Sequence, residues 1–377
     1  MHSETKLNEM SKRAYNYLNN KAFPKWLAEG VFTNGDGFVE EFFLNDSKPN
    51  IQSFRRLRVQ GRQTWTFAMA AALGYDGKLL WAAQEGWKTI LTQFSHTEGG
   101  FIHSVNPDGT PLNEERFLYE QAFVLLGAAG LYTATKDQQY LDEAKKLYSW
   151  INEAMKAEEG FYTSYGNPSE PRQQNPHMHS FEALMALYVA SGDGYWLKEA
   201  TKIYQIYNAY FYDKEYKLLR EFFNSDWKSY DAKLGDSIEP GHNYEWVWLL
   251  NHYKSLTKEA NATQDELYNF ALSTTADNGF AYDECLPDGK IKRKTSRLWV
   301  QTEALKANLA QYETHKDDIY ITRAEACFNN IFDYYLHDNG LWGDQQDADL
   351  KELSKVTPAS TFYHIFLAFI EVIRMGK

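Results

Sequence analysis

The chain is poor in cysteine, in proline, in positive charge and in unbroken apolar runs. Its 377 residues include 2 Cys and 10 Pro. Cys285 and Cys327 stand alone, outside any metal-type spacing, so neither a disulfide framework nor a cysteine-based metal site is expected. No stretch approaches the ~18 uninterrupted apolar residues of a membrane span. The start, MHSETKLNEMSKRAYNYL, mixes charges and lacks the apolar segment of a secretory signal. A reducing compartment and a cytoplasmic location are therefore expected. With 39 Lys+Arg against 51 Asp+Glu, the formal net charge is −12. Nucleic acid is not an expected partner, because neutralising phosphates needs clustered Lys and Arg. No GxxxxGK[ST], GxGxxG after a strand, GxSxG or HExxH occurs, so nucleotide sites, the nucleophile elbow and zinc-protease chemistry have no support.

Aromatic rings are abundant instead: 11 Trp, 26 Tyr and 23 Phe make 16% of the chain. Rings at that density fill a core, and they also suit a pocket for a ligand with flat apolar faces.

A glycine signature recurs as NGDGF, TEGGF, EEGF, DNGF and DNGL, with glycines at 37, 100, 160, 279 and 340. A degraded copy, DKEYKLLREF, lies around Lys217, which brings the count to six with a period near sixty. Glycine after Asp or Asn suits turns with positive φ. Between the turns, two kinds of helical segment alternate. Tyr15–Trp26, Leu79–Phe94, Gln139–Met155, Gly194–Tyr212, Asp265–Thr274 and Ile319–Leu336 are amphipathic, as surface helices are. Thr64–Leu73, Glu120–Ala134, Ser180–Ala190, Glu245–Tyr253, Gln301–Tyr312 and Ser360–Ile373 are far more apolar, as buried helices are. Six outer and six inner helices predict an all-α (α/α)6 barrel of helical hairpins. Short β-hairpins are expected in its loops at NPDG (Asn106–Gly109) and LPDG (Leu286–Gly289). With no Pro/Gly/Ser-rich linker in view, residues 1–377 read as one domain, monomeric or paired as a homodimer.

Polar and aromatic residues gather where the apolar helices begin: Arg58 and Arg62, Tyr119, Asn175 and His179, His242, Glu245 and Trp248, Trp299 and Glu303, and His364. One from each group, at 62, 119, 179, 242, 303 and 364, reproduces the period of the turns. In a ring, one phase per repeat is one height around one axis, so these residues should converge at one mouth of the barrel. Any one of them alone reads as a satisfied core residue or helix-end charge; together they read as a pocket. His177 and His179 face apart on a helix, so no metal site is expected. The His, Glu, Arg, Asn and Trp inventory suits a neutral polyol. Paired carboxylates admit glycoside hydrolysis, but imidazoles with a pKa of ~6.5 suit proton abstraction beside a carbonyl.

QGRQTW, YEQAF, NPHMHSFEAL, PGHNYEW, LWVQTEALKA and PASTFYH, in that order, resemble the N-acylglucosamine 2-epimerase superfamily from about Arg58 to the last helix. The resemblance implies the same barrel and a reaction on an aldose without metal or cofactor. It implies that Arg62 steadies substrate oxygens and the developing enediolate, and that Tyr119, Asn175 and His179 contact the sugar. His242, with Glu245 one turn on to orient or polarise it, and His364 are implied as the catalytic pair. Trp248 and Trp299 are implied as walls, Arg58 as a further binding residue and Glu303 as an acidic partner. One His would assist ring opening (His242) and the other move the C2 proton (His364). PASTFYH is closest to the ending of the isomerase branch. Interconversion of D-mannose and D-fructose, with D-lyxose as a second substrate, is the expected activity. The alternatives are a monosaccharide or N-acylglucosamine-type 2-epimerase, a glycosidase on the same barrel, and a non-catalytic sugar-binding protein.

Overall fold

A computed structural model of the chain describes residues 2–32, 36–167, 171–231, 233–259 and 261–376. Asn34 and Gly35 of the first glycine motif lie outside them. Helix α1 (His2–Tyr17) runs through a π-helical turn (Leu18–Ala22) into α2 (Phe23–Glu29). There follow α3 (Leu57–Ala72), α4 (Lys78–Gln93), α5 (Leu118–Thr135), α6 (Gln139–Ala154), α7 (Gln174–Ser191) and α8 (Gly194–Ile206). The series ends with α9 (Pro240–Thr257), α10 (Gln264–Ser273), α11 (Leu298–His315), α12 (Asp318–Tyr334) and α13 (Phe362–Met375). Inner helices α3, α5, α7, α9, α11 and α13 touch in that order, and α13 returns to α3. This is the expected (α/α)6 barrel.

Burial explains which helix goes where. In α5 and α11 almost every residue of the first three turns is buried, which only an inner position allows. In α6 the buried set is Tyr140, Leu141, Ala144, Leu147, Tyr148 and Ile151, a single stripe at i, i+3/i+4 spacing. Several helix starts differ from the sequence reading. The first outer helix starts at His2 rather than Tyr15, because its buried stripe is narrow: Ser3, Leu7, Met10, Ala14 and Tyr17. The inner helices α3, α7, α9 and α11 start several residues before their apolar runs, since their first turns are polar and face the barrel mouth. Gly61 lets α3 approach α5: a Cβ there would lie 2.6 Å from the Phe123 carbonyl oxygen.

The glycine signature has a structural cause. Gly37, Gly100, Gly160, Gly279 and Gly340 have φ between 70° and 86°, and Lys217, the degraded copy, holds the same left-handed turn at φ 57°. Just beyond each turn an inner-barrel side chain clamps the backbone, satisfying amides that burial has taken from water. Gln60 pairs both N–H and C=O of Phe38 (2.8 and 2.8 Å). Gln121 does so for Phe101 (3.0 and 2.8 Å) and Gln301 for Ala281 (3.0 and 2.8 Å). His177 accepts from the Phe161 N–H (3.0 Å), Asn243 from Leu219 (2.9 Å), and Thr357 bonds both groups of Trp342. Replacing Gln121 with Leu leaves two buried groups of Phe101 unpaired and is expected to cost about 2–4 kcal/mol. Chemical denaturation measures this, and an unchanged midpoint contradicts the clamp.

Both expected hairpins form: Ser104–Val105 pairs with Pro111–Asn113 and Glu284–Cys285 with Ile291–Arg293, antiparallel. Glu41–Phe43 pairs with Val356–Pro358 and ties the first repeat to the last. Much of the aromatic surplus packs between helices, as in the Trp26–Trp342 stack (5.0 Å, 15°) and the Tyr207–Trp246 stack (4.3 Å, 21°). Cys285 and Cys327 are buried free thiols. Among the described residues, no helix is long and apolar enough to cross a membrane.

Candidate active site

The N-terminal ends of the inner helices surround a cavity of about 250 Å³. Eight residues expected there line it: Arg62 from α3, Tyr119 from α5, Asn175 and His179 from α7, His242 and Glu245 from α9, Trp299 from α11 and His364 from α13. Glu239, Arg297, Asp344, Ser360 and Thr361 complete the wall from the segments leading into α9, α11 and α13.

Three expected residues stand elsewhere. Arg58 lies one turn before Arg62, about 6 Å along the helix axis. There it lines a neighbouring cavity and pairs with Glu120 (2.6 Å). Trp248 is not a wall. Six residues past His242 on α9, it lies ~9 Å deeper, where its ring covers the Lys306 ammonium at 4.2 Å and stacks on His252. Glu303 sits behind His364 and does not line the cavity.

Each of the three histidines bonds a carboxylate through Nδ1: His179 to Glu182 (3.1 Å), His242 to Glu221 (2.9 Å) and His364 to Glu303 (2.8 Å). These bonds place the Nδ1 proton on the carboxylate side and leave Nε2 as the second working nitrogen. Of the two roles expected of Glu245 toward His242, orienting or polarising it, the orienting hydrogen bond is made by another residue. Glu221 takes that role, reaching in from the loop before α9, where Gln174 also binds it (2.8 Å). Trp299 stands between the catalytic candidates, its ring 5.2 Å from that of His242 and 5.7 Å from that of His364. Gly241 makes room for it, since a Cβ there would lie 2.5 Å from the indole.

Electrostatics separate the two histidines. Burial opposes charge on His242, yet Glu221, Glu239 and Glu245 outweigh it and push its pKa up to about 9. His364 is held well below the ordinary histidine range by burial, reinforced by Arg62 and Lys306. Near neutral pH His242 is thus an imidazolium and His364 a neutral imidazole, an acid and a base on the two sides of Trp299. Burial also holds His179 down, to about 4. Glu245 is pushed well above the carboxylate range by burial and by Glu303.

Arg62 has no carboxylate partner among the described residues; it donates to the Tyr119 hydroxyl (2.9 Å) and stacks over Phe123 (4.2 Å). Its Nε and the Asn175 Oδ1 are buried without a protein partner. Arg297, by contrast, is tied to Glu239 (2.8 Å) and Asp283 (3.2 Å). Two trios, His179–Glu182–Glu245 and Glu245–Glu303–His364, have ligand atoms within 4.8 Å of one another and could hold a metal ion. A cation of the chain's own, the Lys306 ammonium, already lies 2.6 Å from Glu303. His177 is not available as a ligand, because Nδ1 meets the Gln173 carbonyl (2.8 Å) and Nε2 is the Phe161 clamp.

A sequence profile described as N-acylglucosamine 2-epimerase matches residues 37–368. The chain belongs to this family. A Rhizobium meliloti protein named mannose-6-phosphate isomerase is 33% identical over 94% of this chain and 95% of its own. A Marinomonas mediterranea protein named D-mannose isomerase is 25% identical over 90% and 91%. The structure of cellobiose 2-epimerase from Bacillus thermoamylovorans superposes with a TM-score of 0.88 at 23% identity, covering 97% and 99%. The chain is accordingly an enzyme of the sugar isomerase and 2-epimerase class.

The additional members of the site left a faint trace in the repeat. Glu221, Asp283 and Asp344 each stand four residues past the turn at 217, 279 and 340, so an acidic residue at constant phase marks copies four to six. Lys306 is a lone charge in the apolar run ALKANLA.

Proposed function

We propose that the enzyme interconverts free D-mannose and D-fructose by proton transfer through a cis-enediolate, and that D-lyxose is a second substrate. The observation that carries this reading is the pair of carboxylate-bound histidines on either side of Trp299, His242 held as the imidazolium and His364 held neutral. The imidazolium of His242 donates to the ring oxygen as the hemiacetal opens and takes up the O1 proton in return; it later protonates O1 and receives the O2 proton. The neutral Nε2 of His364 then removes the C2 proton and returns it to C1. Isomerisation needs O1 and O2 to exchange roles as carbonyl and hydroxyl. Arg62, lacking a carboxylate of its own, serves both oxygens and the negative charge that develops between them. The converging N-termini of the inner helices favour the same charge. Asn175 offers an unused acceptor to a sugar hydroxyl, and Trp299 an apolar face to C–H groups.

The cavity is smaller than the ~300–1,000 Å³ of drug-sized ligand pockets, which favours a monosaccharide over a disaccharide. A phosphorylated sugar would meet Glu239 and Asp344 in the wall and an Arg297 already paired. The unphosphorylated sugar is therefore the better fit, although one relative's name includes a phosphate. Glycosidase chemistry is less suited: Glu245 and Glu303 share one buried cluster with Lys306, which leaves no substrate bond between them.

Incubation of D-mannose with enzyme and EDTA, followed by NMR, tests the reading. Fructose is expected, undiminished by the chelator, with D-mannose 6-phosphate and cellobiose turned over at least about ten times more slowly. Glucose without fructose would make the enzyme a 2-epimerase, and silence on every aldose would refute the reading.

A further inference from the structure

Lys306 is the most deeply enclosed cation among the described residues, with no measurable exposure, and nothing in the proposed reaction uses it. It lies on α11, three residues after Glu303. Its ammonium is 2.6 Å from Glu303 Oε2 and is roofed by the Trp248 ring at 4.2 Å. The other oxygen of Glu303 holds Nδ1 of His364 at 2.8 Å. A lysine buried under an indole is costly unless its charge is used. Here it faces three buried carboxyl groups, Glu182, Glu245 and Glu303.

We propose that Lys306 is a positioning residue: by fixing Glu303 as the carboxylate that grips Nδ1 of His364, it sets the tautomer and orientation of the base. Without the ammonium, the buried charge of Glu303 would be countered best by a second proton on His364, the imidazole it already grips at 2.8 Å. A doubly protonated imidazole has no lone pair on Nε2 to take the proton that the reaction needs removed. Lys306 is thus part of a relay of fixed charges, Lys306–Glu303–His364, in which the lysine never meets the sugar. This inference rests on His364 being the base.

The charged and titratable groups facing His364 are Arg62 from α3, His179 and Glu182 from α7, His242 and Glu245 from α9, Glu303 and Lys306 from α11, Tyr363 from its own helix, and Asp344 across the cavity. Lys306 and Arg62 both disfavour protonation of His364. Removing Lys306 should make His364 easier to protonate.

Lys306→Met keeps the bulk and removes the charge. On D-mannose, kcat at neutral pH should fall roughly ten-fold or more, with KM changed far less. The acid limb of the kcat profile should move up by roughly one pH unit, and Lys306→Arg should restore its position. A merely structural lysine would lower thermal stability without moving the limb. If Lys306→Met does not fold, Lys306→Gln keeps a donor for Glu303 and still removes the charge. Histidine NMR titration of the same variants needs no substrate, with the His364 signal assigned by its loss in His364→Asn. Protonation of His364 at higher pH in the variant supports the relay even if no sugar is turned over, in which case only the assigned substrate fails. An unchanged His364 titration or an unmoved limb overturns it.

Discussion

His364→Asn should reduce kcat on D-mannose by about 10²- to 10⁴-fold, the range typical of a lost general base. The fold should remain, because Asn can still meet Glu303 while offering no group that takes up a proton. KM should change little, since the sugar is held chiefly by Arg62, Asn175 and Trp299. The loss should be uniform across the plateau, because asparagine has no titrating group to take the place of the imidazole. Steady-state kinetics with circular dichroism decide the matter. A folded variant retaining more than about a tenth of wild-type kcat would remove His364 from the mechanism.

Glu221→Gln should act on the other limb. His242 works as an acid, so its contribution is present below its pKa of about 9 and is lost as the pH rises through that value. The wild-type profile should hold a plateau from below pH 6.5 up to about 9, because His364 stays neutral through that window. Glutamine keeps a hydrogen bond to Nδ1 but removes the nearest negative charge. The pKa of His242 should then fall toward the ordinary ~6.5. At pH 8 only about 3% of such a group is protonated, so kcat should drop roughly 30-fold there. At pH 6 about three quarters of such a group is protonated, so the deficit should shrink to less than about two-fold. A pH–rate profile of the variant is the check; a loss that is equal at both pH values would mean that Glu221 only shapes the pocket.

What could be read from the chain follows from what the repeat repeats. The barrel was legible because each copy needs the same left-handed turn and the same alternation of half-buried and fully buried helix, and both leave marks at a fixed spacing. Lys217 shows how robust this is, since the turn persists where glycine does not. His242, His364 and Arg62 were legible because polar residues at one phase of buried helices are conspicuous. Glu303, the partner of His364, was legible on the same ground, but the partner of His242 was not. Glu221 reaches His242 from an irregular loop, so no helical spacing connects them, and Glu245 was the nearer acid along the chain. Trp248 was misplaced because a tryptophan close in sequence to a catalytic histidine can still be two turns deeper along the helix. Lys306 went unnoticed because a single lysine in an apolar run reads as a surface residue until its surroundings are seen.

The central claim is that His364 carries the substrate's C2 hydrogen to C1 as a proton. Running the reaction in D2O and following both sugars by NMR tests it most directly. A base that exchanges with solvent during the lifetime of the enediolate predicts deuterium at C1 of fructose and, on return, at C2 of mannose, with both labels absent for His364→Asn. Fructose that keeps the original hydrogen at C1 through repeated turnovers, with no deuterium entering either sugar, would contradict the account.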